Sequence, residues 1–367
     1  MSFELTPDEQ DRIQIASFLG LHLDPVSHVD MSTIIVLSLM YLIEFVALCY
    51  QLRNRNYMPL KVKNVPIMFS LFFGAVGWLA GDILSGGLVH LRPSPVLQNC
   101  TFTVIWLRVC IGAYYVTSVF ALRCFSLYYV FYTGKAYKGK VVLITFGVVV
   151  VSILLFGLIS TVIPSSMTIQ YNDILDMCYY DKGYVAAVIV IIWCIWLYTA
   201  YMNWRMRNIA FCFNERAEIV TLFAIMLMVV VMNTLCLFAV NVYPASLGWR
   251  TALLYVNHVG ASTGYWIVMF EPTYNCLFNR EEYLRYWIAI LKEDQMEREY
   301  GYSADMNNNE TTIAWGDFSE IPSKVGSKCP STHTAVIDLT NDATIHVPAE
   351  AEAQSDIFER EHRKHEF

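Results

Sequence analysis

The sequence predicts an all-α membrane protein: a bundle of seven transmembrane helices with an extracellular N-terminus and a cytoplasmic C-terminus. Three observations support this prediction: the composition, seven apolar runs of membrane length, and an uneven distribution of basic residues between the loops. Hydrophobic residues make up 56% of the 367 residues, charged residues make up 16%, and the mean hydropathy is +0.42. This composition is typical of a membrane protein rather than a soluble domain.

Seven apolar runs of about 20 residues each match the length that a helix needs to cross the hydrocarbon core of a bilayer. We expect these runs at residues 31–52, 65–87, 101–130, 141–163, 184–204, 217–242 and 250–272. Because seven is odd, the two termini lie on opposite sides of the membrane. Residues 1–30 then form a short extracellular segment, and residues 31–275 form the bundle.

The basic residues decide the orientation, because cytoplasmic loops carry an excess of Lys and Arg. The first, third and fifth loops hold ten of them: Arg53, Arg55, Lys61, Lys63, Lys135, Lys138, Lys140, Arg205, Arg207 and Arg216. The N-terminal segment and the other loops hold four: Arg12, Arg92, Lys182 and Arg250. The first group therefore faces the cytoplasm. Seven helices in this orientation are first of all a receptor arrangement.

Two of the ten cysteines are placed to form a disulfide on the outer face. Cys100 stands at the outer start of the third helix, and Cys178 lies in the second outer loop, shortly before the fifth helix. The extracellular compartment is oxidising, and disulfides persist there. A bridge would fasten the loop, residues 164–183, over the mouth of the bundle. The loop could form a hairpin lid, or its carboxylates Asp173, Asp176 and Asp181 could form a solvated face.

Ionisable side chains within the apolar runs need an explanation, since each costs about 2.5–3.5 kcal/mol at the centre of a membrane helix. Asp82, near the outer end of the second helix, and Arg108, about two turns into the third helix, share the outer half of the membrane. We predict that they form an ion pair. The pair is either purely structural or part of a ligand site in which Arg108 counters an anionic group. Five glycines between residues 74 and 87 indicate close packing of the second helix against a neighbour.

Further candidates for the ligand pocket lie on the seventh helix: Asn257, His258 and Tyr265. Because Asn257 and His258 are adjacent, we expect only one of them to face the pocket centre. Residues 250–272 contain no lysine for a retinal Schiff base, and too few histidines lie at membrane depth for a zinc hydrolase. The sequence predicts no catalytic site, no cofactor and no metal site.

The cytoplasmic side is expected to present a basic rim to a partner protein, formed by Arg55, Lys61, Lys63, Arg123, Arg205 and Arg207. After the seventh helix, apolar residues at helical spacing predict an amphipathic helix over residues 279–299. Cys276, just before it, is a candidate for lipidation. Residues 300–367 are polar and acidic, which predicts a disordered cytoplasmic tail and argues against a nucleic-acid partner.

Four segments give residues 45–290 a resemblance to a known family. They are the first inner loop (53–64), Trp106-Leu107-Arg108 with Gly112, Leu122-Arg123 with Leu127-Tyr128, and Phe270-Glu271-Pro272 with Tyr274, Phe278 and Asn279. The chain resembles fungal seven-helix G-protein-coupled receptors, especially the membrane half of those that carry a regulator-of-G-protein-signalling domain. It is also distantly similar to the transmembrane core of class C receptors.

The resemblance implies a plasma-membrane receptor that transmits an extracellular signal to a heterotrimeric G protein through a rearrangement of its helices. Membrane lipids and an unspecified ligand are the other expected partners, and a homo-oligomer stays open. The chain has neither Asp-Arg-Tyr after its third helix nor Asn-Pro-x-x-Tyr in its seventh, so rhodopsin mechanics do not transfer residue by residue. The alternative from another class is a small-solute transporter or channel.

Overall fold

The computed structural model describes residues 7–18, 20, 22–133, 137, 139–173, 175–206, 215–240 and 243–293. The α-helices in this part of the chain are α1 (Pro7–Phe18), α2 (His28–Arg53), α3 (Met58–Val62), α4 (Val65–Ser85), α5 (Tyr115–Thr133), α6 (Lys140–Val162), α7 (Lys182–Arg205), α8 (Glu215–Ala239), α9 (Leu247–Phe278) and α10 (Arg280–Glu293). A π-helix, Thr101–Tyr114, runs directly into α5. Two strands, β1 (Ile169–Asn172) and β2 (Met177–Tyr180), precede α7.

Six helical segments of the described chain are long and apolar enough to cross a membrane: α2, α4, the π-helix with α5, α6, α7 and α8. Their bounds agree with the predicted runs to within a few residues, so the all-α membrane architecture is confirmed. α6 illustrates the surface that lipid would cover, because Leu143, Val148 and Val162 are exposed along it. The seventh predicted run lies within α9.

Glycines bring α4 and the π-helix into backbone contact. A Cβ atom added at Gly81 would lie 2.5 Å from the backbone nitrogen of Arg108, and one at Gly112 would lie 2.8 Å from the side chain of Trp78. The predicted close packing of the second span is therefore confirmed. The π-helix was not predicted. Such helices are rare and usually last a single turn, whereas this one spans 14 residues.

The second outer loop forms a hairpin, in which β1 and β2 pair antiparallel. Cys178 on β2 is bonded to Cys100 at the start of the π-helix, with Cα atoms 5.7 Å apart, so the predicted disulfide is confirmed. Of the three carboxylates, Asp173 is solvated, with 82% of its side chain exposed. Asp176 is buried, and Asp181 caps α7 by accepting a hydrogen bond from the backbone of Gly183.

The segment after the bundle is described only in part. The amphipathic helix predicted for residues 279–299 corresponds to α10, which is described as far as Glu293. α10 begins beside the first inner loop, where the Tyr57 hydroxyl donates to the Arg280 carbonyl at 3.0 Å. The predicted disordered tail, residues 300–367, lies outside the described residues.

Candidate functional site

The predicted ion pair between α4 and the π-helix is present. The Asp82 Oδ1 atom lies 2.7 Å from the Arg108 Nε atom, and both residues are buried, with 4% and 8% of their surfaces exposed. Gly81 permits this approach because a side chain there would collide with the Arg108 backbone. Burial removes both charges from water, and each charge compensates the other.

Asn257 and His258 of α9 both contact the Asp82 carboxylate, whereas the sequence predicted that only one of them would face the pocket centre, and neither lines the cavity beside this carboxylate. The Asn257 Nδ2 atom donates to Asp82 Oδ2 at 2.9 Å, and the His258 Nε2 atom lies 3.3 Å from the same oxygen. Successive side chains on an α-helix point about 100° apart. A carboxylate placed between the two directions therefore contacts both.

Hydrogen bonds extend this cluster to α2 and α8. The Tyr41 hydroxyl on α2 lies 2.9 Å from His258 Nδ1. On α8, the Asn233 Nδ2 atom donates to Asn257 Oδ1 at 2.6 Å. Through these contacts α9 is joined by polar side chains to the helices on either side of it.

Arg108 extends the cluster to the outer hairpin. Its Nη1 atom donates to Ser85 Oγ at 3.2 Å and to the Tyr180 hydroxyl at 2.6 Å. Tyr180 ends β2, two residues after the disulfide-bonded Cys178. We call the connected set the outer polar network; its members are Tyr41, Asp82, Ser85, Arg108, Tyr180, Asn233, Asn257 and His258.

A cavity of about 770 Å³, including its open mouth, lies beside this network. Arg108, Tyr180 and Asn233 are the network members that line it. Most of the remaining wall consists of apolar side chains from α4, the π-helix, α7 and α8, among them Trp78, Val109, Val188, Met226 and Val229. Asp82, Asn257 and His258 lie behind this wall.

Tyr265 does not lie with the other predicted pocket residues. It lines a second cavity, of about 670 Å³, together with Glu44 and Arg123. Its hydroxyl donates to Gln51 Oε1 at 3.0 Å. Tyr265 is two turns beyond His258 along α9, roughly 10 Å at 1.5 Å per residue. The structure therefore brings together four of the five predicted pocket residues and places the fifth closer to the C-terminal end of α9.

A series of polar pairs between α2 and α9 was missed by the sequence analysis. We call it the α2–α9 polar interface; its pairs are Tyr41–His258, Glu44–Ser262, Gln51–Tyr265 and Gln51–Thr273. The sequence does contain a signal for it. Tyr41, Glu44 and Gln51 recur at intervals of three and seven residues, which places them on one face of a helix.

Charged residues also fasten the N-terminal segment to the bundle. Arg250, at the start of α9, donates to both carboxylate oxygens of Asp30, at 2.9 and 2.6 Å, and both residues are buried. Arg12 of α1 donates to Glu9 at 2.7 Å and to the carbonyl of Leu175 in the hairpin at 2.6 Å. The sequence analysis treated these arginines only as loop charges, because their partners are distant in sequence.

His90, in the loop after α4, lies between the N-terminal helix α1 and the hairpin. Its Nδ1 atom lies 3.4 Å from Asp176 Oδ2 and 3.8 Å from Glu9 Oε2. The hydrogen bond with Asp176 raises the pKa of His90. Burial alone would raise the pKa of Asp176, but hydrogen bonds from His90 and Tyr171 hold that pKa below its ordinary value. Protonated His90 therefore binds the hairpin more strongly than neutral His90.

The predicted basic rim contains residues in different environments. The Lys63 Nζ atom lies 2.8 Å from Glu218 Oε2 in the first turn of α8, and both side chains are largely buried. Arg123 is half-buried at the wall of the second cavity. Of the other candidates, Arg55 and Arg205 are exposed, Lys61 is half-buried, and Arg207 lies outside the described residues.

The lipidation candidate, Cys276, lies near the inner end of α9. Only 4% of its surface is exposed, and the Tyr50 hydroxyl donates to its Sγ atom at 3.7 Å. The thiol therefore faces α2 in this arrangement, and acylation would require α9 to release it. Lipidation at this position stays a prediction.

Comparisons with known proteins do not assign the chain to a family. No protein-family model matches it, and no curated protein matches it significantly. The functional proposal therefore rests on the architecture and on the geometry of the outer polar network.

Proposed function

We propose that the chain is a plasma-membrane G-protein-coupled receptor, with seven transmembrane helices, that transmits an extracellular signal to a heterotrimeric G protein. The observation that supports this most strongly is the outer polar network. It connects an external hairpin, through Tyr180 and Arg108, to helices α2, α4, α8 and α9. A signal at the hairpin or the outer cavity therefore has a continuous set of contacts through which to move the bundle.

In this proposal α9 is the seventh crossing. Its 32 residues extend about 48 Å at 1.5 Å per residue, more than the roughly 30 Å of bilayer hydrocarbon. Polar residues make this helix less apolar than the other six. However, Asn257, His258 and Ser262 are buried inside the bundle rather than exposed to lipid. Polar residues of membrane helices usually occupy such interior positions.

The same proposal places the hairpin outside and the basic loops inside. The Cys100–Cys178 disulfide, α1 and the hairpin belong to one end of the bundle, and an oxidising compartment suits that end. The exposed Arg55 and Arg205 belong to the other end. An excess of basic residues is typical of cytoplasmic loops.

Signalling would require two arrangements of the bundle with different affinities for the ligand, since a ligand shifts an equilibrium only through such a difference. In the described arrangement the Lys63–Glu218 ion pair joins the first inner loop to α8. Movement of α8 away from that loop would break the pair and open the inner end. A G protein would then insert between α8 and the basic rim.

Nucleotide exchange on Gα tests the receptor proposal. The purified chain in nanodiscs, with Gαβγ added, is screened for compounds that accelerate exchange. Charge reversal by Arg55→Glu with Arg205→Glu should reduce the accelerated rate, because both side chains are exposed at the inner end. Lys182→Glu, an equally exposed reversal at the outer end of α7, is the matched control. If the exchange rate is unchanged by Arg55→Glu with Arg205→Glu, or falls equally with Lys182→Glu, this assignment of the G-protein surface is rejected.

The alternative is a small-solute transporter or channel, and one observation favours it. Met226 lines both cavities, so its flexible side chain borders each of the two spaces. A pathway through the bundle would connect the two spaces past that side chain. Solute flux in proteoliposomes without a G protein, increased by Met226→Ala, would support transport. Ligand-dependent exchange without such flux would support the receptor.

A further inference from the structure

We infer that the outer cavity binds a neutral, mainly hydrocarbon molecule that presents a hydrogen-bond acceptor to Tyr180. The inference rests on the proposed receptor function and specifies the class of its ligand. It differs from the anionic group that Arg108, considered as an isolated cation, would suggest. Three features of the cavity lead to it: the charge balance, the position of the Tyr180 hydroxyl, and the apolar wall.

The charge balance argues against an anion. The Arg108 guanidinium, which lines the cavity, is paired at 2.7 Å with the Asp82 carboxylate, which does not. His258 lies within the network, with its Nε2 atom 3.3 Å from Asp82 Oδ2 and its Nδ1 atom 2.9 Å from the Tyr41 hydroxyl. The Arg108–Asp82 pair contributes one positive and one negative charge, and the two compensate each other. A ligand carboxylate would add a buried negative charge without a compensating partner, which is unfavourable in a low-dielectric site.

Tyr180 supplies the donor. Its hydroxyl oxygen accepts the hydrogen bond from Arg108 Nη1 at 2.6 Å, so the hydroxyl hydrogen points away from the guanidinium. In the part of the chain that the structure describes, no residue accepts a hydrogen bond from this hydroxyl. Because a charged donor polarises the O–H group, Tyr180 is a stronger donor than an isolated tyrosine. A ketone, ester or ether oxygen is the simplest complement.

The wall of the cavity favours hydrocarbon. Val188 and Val229 contribute aliphatic groups, and Trp78 contributes an aromatic surface. Burial of apolar ligand surface against such groups is favourable in proportion to its area. A ligand with one acceptor and an apolar body would therefore match both the donor and the wall.

Fluorine NMR of the purified full-length chain in nanodiscs, without a G protein, tests this assignment. Three probes share a para-trifluoromethylphenyl group: a methyl ketone with a neutral acceptor, a carboxylate with a negative charge, and a toluene with no acceptor. The ketone should bind about three- to tenfold more tightly than the toluene, the range expected for one hydrogen bond. The carboxylate should bind more weakly than the ketone.

Variants separate binding in the cavity from partition into lipid. Tyr180→Phe keeps the ring and removes the hydroxyl, so the ketone should fall to the affinity of the toluene while the toluene is unchanged. Val188→Phe fills the cavity and should weaken both neutral probes. Leu143→Phe makes a comparable change on the lipid-exposed surface of α6 and should change neither. If Val188→Phe fails to unfold cooperatively, Val229→Phe replaces it at another wall position.

The probe affinities and the Gα exchange assay together test the ligand class and the receptor function separately. Equal affinities for ketone and toluene in the wild type, or tightest binding by the carboxylate, would overturn the inference. Probe binding without any ligand-dependent exchange on Gα would reject the receptor function and leave the ligand class standing. Exchange driven by an anion that competes with the ketone would reject the ligand class and keep the receptor.

Discussion

Two helix interfaces of this bundle are built in different ways. Where α4 meets the π-helix, the backbones touch, and Cβ atoms at Gly81 and Gly112 would lie 2.5 and 2.8 Å from the neighbouring helix. Where α2 meets α9, larger side chains meet as polar pairs such as Glu44–Ser262. Backbone contact permits one arrangement, whereas a polar side chain can exchange partners. We therefore expect the first interface to keep one arrangement, as a fixed frame, and the second to be able to rearrange against it.

The largest effect is expected where the two interfaces meet, at Asp82. Asp82→Asn leaves Arg108 as a buried charge without its counter-ion, and we expect a loss of about 3–5 kcal/mol of stability. Thermal unfolding of the purified protein measures this loss. Exchanging the charges, with Asp82→Arg and Arg108→Asp, should recover part of it. Wild-type stability of both single variants, Asp82→Asn and Arg108→Gln, would show that each residue faces water.

Gly81→Val tests the fixed frame directly. The added side chain would collide with the Arg108 backbone, which cannot rotate away as a flexible side chain would. We expect a destabilisation of about 1–3 kcal/mol from overpacking, measured by thermal unfolding. Gly147→Val on α6 is the control, because nothing lies within 4 Å of a Cβ atom there. An equal loss of stability in the two variants would show that backbone contact at Gly81 does not fix the α4 interface.

Ser262→Ala tests the rearranging interface and should have a smaller effect. It removes the donor to Glu44, and hydrogen bonds between membrane helices average about 0.6 kcal/mol. Ser32→Ala, at an exposed serine whose hydroxyl bonds to the backbone of its own helix, is the control. Thermal unfolding and basal exchange on Gα are the measurements. A loss as large as that of Gly81→Val would mean that this interface is fixed as well.

The smallest effect concerns pH on the side of the membrane that the hairpin faces. The pKa of His90 is raised from 6.5 by Asp176, so its stabilisation is complete below about pH 6.5 and is lost as the pH rises through the raised value. The pKa of Asp176 is lowered from 3.8, so its contribution is present above that value and is lost in stronger acid. Hydrogen exchange in the hairpin should therefore be slower at about pH 5.5 than at pH 8 after correction for intrinsic rates. His90→Gln should abolish the difference in exchange between the two pH values. If the variant keeps that difference, His90 is not its cause.

The spans could be predicted because bilayer thickness fixes helix length, whatever the helix packs against. The Cys100–Cys178 and Asp82–Arg108 pairs could also be predicted, since each combined a shared depth with complementary chemistry. The partners of Glu44 could not. They depend on how far α2 and α9 are rotated about their axes, and the packing of the whole bundle sets that rotation.

The π-helix and the division of the pocket were beyond prediction for a related reason. Residue preferences do not distinguish a π-helix from an α-helix, so the sequence indicated one continuous span over residues 101–130. Tyr265 was grouped with Asn257 and His258 because all three lie on one helix. A position along the axis decides which cavity a side chain meets, and the second cavity is defined only by the surrounding helices.

The Asp82 carboxylate meets Arg108, Asn257 and His258 at once, and this has an evolutionary consequence. A substitution at any one of these positions changes which residues are tolerated at the others. Among related sequences, positions 82, 108, 257 and 258 should therefore vary together, in combinations that preserve one negative and one positive charge. Drift at these positions would proceed by paired replacements, while the lipid-facing residues of α6 change independently.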